Sequence, residues 1–138
     1  MKITASVQNS AARHHVSIAT NDHAHSLEIP PRPSGFGSSA NGGELLFLAL
    51  ATCYCNDIYR EAAKRGIQVV QVEVSVDGEF DAEGAPARDV AYRARVTAQT
   101  SEAQILDLMT HTDRVAEIQN TLRLGMPVTL AAMEAVPV

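Results

Sequence analysis

Residues 41–66 contain a helical pattern in which hydrophobic side chains point in every direction around the axis. Residues 45–51 form an unbroken apolar run, whereas a helix at a protein surface has a single apolar stripe. The whole apolar stretch, Leu45 to Cys55, is too short for a bilayer, which requires about 20 residues, so it predicts a central core helix. Asn41 and Glu44 have the spacing of a capping box at its start, and Gly66 is typical of a helix end.

The rest of the chain alternates between polar and apolar residues, which is the period of half-buried strands. We predict a strand meander in residues 1–29, a strand hairpin in 68–99, and helices followed by a final strand in 101–138. The clearest case is the run from Val70 to Val76, in which every second residue is valine. This order of elements predicts an α+β fold in one domain over residues 1–138.

The predicted strands are too few to cover a helix that is apolar on all sides. A second copy of the chain is the simplest source of the missing cover. We therefore predict an intertwined homodimer in which antiparallel sheets wrap around the long central helix.

Charge and composition narrow the range of partners. The formal net charge is −5 and no basic patch is present, which argues against nucleic acid as a partner. Met1 leads into a polar, alternating segment rather than the apolar region of a secretory signal, so we expect a cytoplasmic protein with no membrane partner. In that compartment, Cys53 and Cys55 are expected to be free thiols.

The histidines near the N-terminus do not predict a metal site. His23 and His25 project to one face of a strand, but no cysteine or acidic cluster at a supporting spacing supplies further ligands. A phosphate-binding loop and a dinucleotide fingerprint are also absent from the sequence. We therefore expect neither a metal nor a cofactor.

The central segment resembles the OsmC/Ohr family of small thiol-dependent peroxide reductases. The resemblance rests on Glu44-Leu45-Leu46, on Ala51-Thr52-Cys53, and on Gly66-Ile67 before the valine strand. It implies an OsmC-like fold and an intertwined homodimer with active sites at the subunit interface. It also implies that Cys53 is the peroxidatic cysteine and that Glu44 and an N-terminal arginine hold the thiolate.

The sequence matches two of these implied roles only in part. The N-terminal arginine has no clear counterpart, and Arg13 is the nearest candidate. Glu44 has two interpretations: it is a capping residue with no catalytic role, or it is the glutamate of the family. In the second case it acts on Cys53 only through an intermediary or across the dimer, because a helical rise of about 13.5 Å separates the two residues.

The chain departs from the family pattern at the second cysteine. Ala116 stands where the resolving cysteine is expected, and no cysteine follows Cys55. Cys55 cannot replace it in a regular helix, because two residues rotate the side chain by about 200° relative to Cys53. Asp57 lies on the face of Cys53, and its carboxylate is expected to raise the thiol pKa. Reactivity then requires a cation, for which the candidates are Arg13, Arg32 and Lys64.

These observations lead to two main functional hypotheses. The first is reduction of organic hydroperoxides by Cys53, with an external thiol as reductant. The apolar residues expected to bind the substrate are Leu46, Leu50 and Phe36. The alternative is a non-catalytic OsmC-like protein that binds a small apolar ligand at the dimer interface. Two departures from the family at supposed active-site positions favour it: Ala116 in place of the resolving cysteine and Gly43 in place of a proline. A third hypothesis, a thiol sensor or sulfur carrier, requires both cysteines.

Overall fold

Five strands and three helices make up the computed structural model, which describes residues 1–138. In chain order they are β1 (Ile3–Ser10), β2 (Arg13–Thr20), β3 (His23–His25), α1 (Gly42–Lys64), β4 (Val69–Glu79), β5 (Arg88–Ala98), α2 (Glu102–Val115) and α3 (Glu117–Arg123). The chain divides into two compact units, residues 1–46 and 47–138. The predicted α+β class with antiparallel sheets is confirmed.

The first unit contains an antiparallel sheet in the order β1-β2-β3. Ile3 pairs with Thr20 in the ladder between β1 and β2. The turn between β2 and β3 places Asn21 and Asp22 at φ values of 48° and 65°. Asn and Asp tolerate this left-handed region better than most residues, which explains why the chain reverses there.

Reciprocal hydrogen bonds define the start of α1. The Glu44 N–H donates to Asn41 Oδ1 at 2.9 Å, and the Asn41 N–H donates to Glu44 Oε2 at 2.8 Å. At the other end Gly66 adopts a φ of 65°, and the Ile67 N–H donates to the carbonyl of Ala62 at 3.0 Å. Both ends follow the signals in the sequence. None of the three helices combines the length and apolarity that crossing a membrane demands.

The cap at Asn41 gives a first prediction about stability. Asn41→Ala removes the side-chain acceptor for the Glu44 N–H and is expected to lower the free energy of unfolding by about 1 kcal/mol. Asn41→Ser retains a capping oxygen and serves as the matched control. The measurement is the urea denaturation midpoint, and equal midpoints for the two variants would contradict the role assigned to this cap.

The core of the second unit lies between α1, α2 and the antiparallel hairpin of β4 and β5. Tyr54, Ile58 and Ala62 on one face of α1 are buried with Leu108 of α2. Half-buried residues of the hairpin, of α2 and of the connection between α1 and β4 pack against this group, namely Ile67, Val69, Val72, Val74, Tyr92, Ala94, Val96 and Met109. The Tyr54 hydroxyl donates to the carbonyl of Met109 at 2.9 Å, so the only polar atom of that side chain is satisfied.

The apolar run of α1 is not buried on every side in a single chain. Leu50 is 5% exposed, but Leu48 in the same run is 60% exposed. This exposure agrees with the expectation that the strands of one chain are too few to cover the helix. The elements of one chain cover only part of the helix circumference.

The C-terminal segment also differs from the expectation. Residues 126–138 contain no regular secondary structure, so the predicted final strand is absent. Val128, Leu130 and Met133 are 91%, 77% and 86% exposed. A strand requires a neighbour for its backbone hydrogen bonds, and none pairs with this segment in a single chain.

Candidate functional site

Cys53 lies in the middle of α1 with a half-buried thiol. Its sulfur donates a hydrogen bond to Asp57 Oδ2, one helical turn later, across 3.4 Å. Residues four apart lie on one helix face, as the sequence predicts for this pair. Asp57 is only 5% exposed, so polar and charged neighbours must replace water in stabilising its carboxylate.

A guanidinium group bridges Asp57 to a second carboxylate. Arg60 Nη1 lies 2.8 Å from Asp57 Oδ1 and 3.0 Å from Glu117 Oε1. Arg60 Nε also donates to Glu61 Oε1 at 2.9 Å. One oxygen or sulfur atom from each of Cys53, Asp57 and Glu117 lies within 4.8 Å of the other two. We call these three residues the thiol–carboxylate cluster.

Burial and negative charge keep the thiol protonated. Burial raises the pKa of Cys53, and the carboxylates of Asp57 and Glu117 raise it further, whereas the backbone N–H of Ile118 acts in the opposite direction. Burial also raises the pKa of Asp57, which Arg60 opposes. The expectation that Asp57 raises the thiol pKa is confirmed, and the resting form at neutral pH is the thiol.

The segment that lacks the resolving cysteine nevertheless lies against Cys53. Ala116 is fully buried at the junction of α2 and α3, and its neighbours Glu117 and Ile118 both act on the thiol. The junction therefore presents a carboxylate and a backbone N–H to Cys53 where a second thiol was expected.

The cation at the cluster was not foreseen from the sequence. Lys64, one candidate, donates to Glu61 at 2.8 Å, and Arg60 bridges the carboxylates instead. The spacing of three residues between Asp57 and Arg60 is a signal that sequence analysis missed. Glu117 gives no such signal, because folding alone brings it near Asp57.

The other predicted site residues divide between the two units. Glu44, Arg13, Leu46 and Phe36 belong to the first unit, where Glu44 caps α1 and Phe36 is 68% exposed. Their positions relative to Cys53 stay predictions. Leu50 belongs to the second unit and is buried, with its carbonyl accepting a hydrogen bond from Gln119 Nε2 at 3.0 Å.

Cys55 faces different surroundings from Cys53. It is a half-buried free thiol that lines a shallow groove of about 290 Å³ between α1 and β4, together with Ala51, Thr52, Asn56, Val72 and Val74. The helix is unbroken through both cysteines. The prediction that a regular helix keeps them apart is confirmed.

A second charged group next to the cluster predicts a dependence of stability on pH. Glu61 is 4% exposed and accepts hydrogen bonds from Lys64, Arg60 and His111, which lower its pKa to about 2. Because the pKa of Glu61 is lower in the folded than in the unfolded state, its ionised carboxylate stabilises the fold above the unfolded-state pKa near 4.5. This stabilisation is lost as the pH falls towards 2.

The measurement is the melting temperature between pH 5 and pH 2 for wild type and Glu61→Gln. We expect the melting temperature of the wild type to decrease more than that of the variant over this range, because only the wild type has this carboxylate to protonate. Parallel curves would contradict the assignment.

Comparisons with known proteins give a consistent family. The model of the family described as OsmC-like protein matches residues 35–131. No curated protein matches the chain by sequence. Solved structures with the same fold include an OsmC-like protein from Mycoplasma pneumoniae, with 19% identity, a TM-score of 0.59, and coverage of 88% of this chain and 86% of that one.

Two further structures are described as organic hydroperoxide resistance proteins. The one from Legionella pneumophila has 21% identity and a TM-score of 0.55, and covers 86% of this chain and 89% of its own. The one from Elizabethkingia anophelis has 17% identity and a TM-score of 0.58, and covers 91% and 93%. These likenesses establish the fold, and the family match spans more than half of the sequence. The chain therefore belongs to the OsmC-like protein family, as the resemblance of its central segment predicted.

Proposed function

We propose that the protein reduces organic hydroperoxides with Cys53 as its one working thiol and an external thiol as reductant. The observation that carries this proposal is the hydrogen bond from Cys53 to Asp57, in the family's cysteine-bearing helix. Two similar structures are named as organic hydroperoxide resistance proteins, which supports the class of substrate.

In the first step the sulfur of Cys53 attacks the terminal oxygen of the hydroperoxide. A sulfur–oxygen bond forms as the oxygen–oxygen bond breaks, so the sulfur is oxidised to a sulfenic acid and the peroxide is reduced to an alcohol. Asp57, at 3.4 Å, takes the thiol proton and returns it to the departing alkoxide. Arg60 keeps Asp57 in place and favours its ionised form.

In the second step an external thiol takes the role of the resolving cysteine, because Ala116 stands at that position and has no thiol. Its sulfur attacks the sulfenic acid, releases water and forms a mixed disulfide with Cys53. A second external thiol then restores the Cys53 thiol and leaves as a disulfide. The cytoplasm, where such reductants are abundant, remains the compartment we predict.

A homodimer is part of the proposal. Leu48 and the apolar segment 126–138 are exposed in one chain, and a second copy offers cover for both. From the family resemblance we retain Glu44 and Arg13 as residues that hold the reacting thiol at the subunit interface. Leu46, Leu50 and Phe36 are the proposed contacts for an apolar substrate.

The direct test is turnover of cumene hydroperoxide with dithiothreitol as reductant. The buffer is treated with a chelator so that trace metals do not consume the peroxide. We expect catalytic loss of hydroperoxide, with hydrogen peroxide a poorer substrate because it lacks an apolar group. A rate no faster than that of dithiothreitol alone would reject the proposal.

One observation favours the alternative of a non-catalytic protein that binds a small apolar ligand. The pKa of Cys53 is raised by burial and by two carboxylates, whereas an activated cysteine has a lowered pKa. The two functions differ in the sulfenic acid, which only the enzyme forms. Trapping with dimedone and mass spectrometry after hydroperoxide treatment distinguishes them.

A further inference from the structure

We propose that the thiol–carboxylate cluster of Cys53, Asp57 and Glu117 binds a divalent metal ion of the zinc type. This inference goes beyond hydroperoxide reduction, because metal binding is a separate property of the same residues. The inference rests on three potential ligand atoms that two helices bring together. The sulfur of Cys53 and an oxygen of Asp57 come from α1, and an oxygen of Glu117 comes from α3.

The distances suit a small tetrahedral ion. Zinc–sulfur bonds of about 2.3 Å and zinc–oxygen bonds of about 2.1 Å place neighbouring ligand atoms about 3.6 Å apart. The sulfur of Cys53 and Oδ2 of Asp57 are already 3.4 Å apart, and no separation in the cluster exceeds 4.8 Å. Closing the widest gap requires movement of roughly 1 Å. Glu117, whose side chain is 62% exposed, is free to make it.

The kinds of ligand select the metal. A cysteine thiolate disfavours magnesium and calcium, which take oxygen ligands, and suits zinc together with carboxylates. Three protein ligands leave a fourth position for water, as in zinc sites with an open coordination position. On binding, the metal replaces the proton of the thiol, which passes to solvent.

Arg60 is the competitor for this site. Its guanidinium lies between the carboxylates of Asp57 and Glu117 at 2.8 and 3.0 Å. The Arg60 side chain is 38% exposed, and its Nε donates a hydrogen bond to Glu61. Arg60 therefore keeps one partner when it releases the carboxylates of Asp57 and Glu117. Metal and guanidinium therefore compete for the same two carboxylates.

Metal binding would interfere with the proposed reduction of hydroperoxides. The metal takes the carboxylate of Asp57 that would receive the thiol proton and return it to the alkoxide. Bound metal is therefore expected to slow hydroperoxide turnover, and its removal by a chelator is expected to restore it.

The test is a titration of the chelator-treated, reduced protein with Co²⁺ in the absence of peroxide. We expect one ion per chain and the near-ultraviolet absorption of a thiolate–cobalt bond, which zinc then abolishes. Cys55→Ser should behave as wild type, while Cys53→Ser should lose the absorption. Glu117→Gln should weaken binding about tenfold or more, with Glu102→Gln, an exposed glutamate in the first turn of α2, as its charge-matched control.

Arg60→Met provides a second measurement, because it removes the competitor and leaves all three ligands. We expect it to bind Co²⁺ roughly threefold more tightly than wild type, because the ion pairs that the metal must displace are absent. An absent thiolate–cobalt absorption in wild type, its persistence in Cys53→Ser, or weaker binding by Arg60→Met would each overturn the proposal. Because no peroxide is present, such a failure is distinct from a failure of the proposed function.

Discussion

Replacing Cys53 with serine is expected to reduce hydroperoxide turnover by at least about 100-fold, to the rate of the reductant alone. A serine hydroxyl does not form the sulfenic acid on which the cycle depends, so no protein-based oxidation remains. The measurement is consumption of cumene hydroperoxide with dithiothreitol. Serine is nearly the size of cysteine, so the helix should be retained, and circular dichroism checks this.

Cys55→Ser is the matched control, since Cys55 faces the groove beside β4 and not Asp57. We expect this variant to keep wild-type turnover. Equal rates for wild type and Cys53→Ser would remove Cys53 from the mechanism. A disulfide between the two cysteines, found by mass spectrometry, would instead favour the thiol sensor.

Asp57→Asn is expected to move two thiol reactions in opposite directions. Removing the carboxylate lowers the pKa of Cys53, so alkylation by iodoacetamide at neutral pH should accelerate by roughly threefold or more. Hydroperoxide turnover should fall by about 100-fold, because general acid–base catalysis is lost. Iodide leaves without a proton, whereas an alkoxide needs one, and this difference separates the two reactions.

Asp107→Asn is the control for loss of a carboxylate. Asp107 is exposed on α2 and binds Arg65 at 2.6 Å, away from the cluster. It should leave both reactions unchanged. If Asp57→Asn leaves hydroperoxide turnover intact, proton transfer by Asp57 is excluded, and if it slows both reactions, the carboxylate only supports the local structure.

Local signals were sufficient to predict α1. Asn41, Glu44 and Gly66 lie at its ends because each satisfies backbone groups within a few residues in sequence. The contact between Cys53 and Asp57 was also predictable, because helix geometry alone places residues four apart on one face. The family resemblance rests on this same segment.

Contacts between distant residues were not predictable in this way. Glu117 reaches Arg60 across 57 positions in sequence, and no periodic pattern signals such a contact. The absence of a strand in 126–138 has a related cause. The apolar pattern of this tail predicts burial, but it does not say whether the covering surface comes from the same chain.

The placement of Cys53, Asp57 and Arg60 on one helix has a consequence for engineering. They span about two turns of α1, so helical pitch sets the spacing of the proposed nucleophile, its proposed proton acceptor and the counterion. Loop insertions and surface redesign elsewhere leave those intervals unchanged. A combinatorial library at the proposed substrate contacts Leu46 and Phe36 is therefore a route to altered substrate preference with these three residues intact.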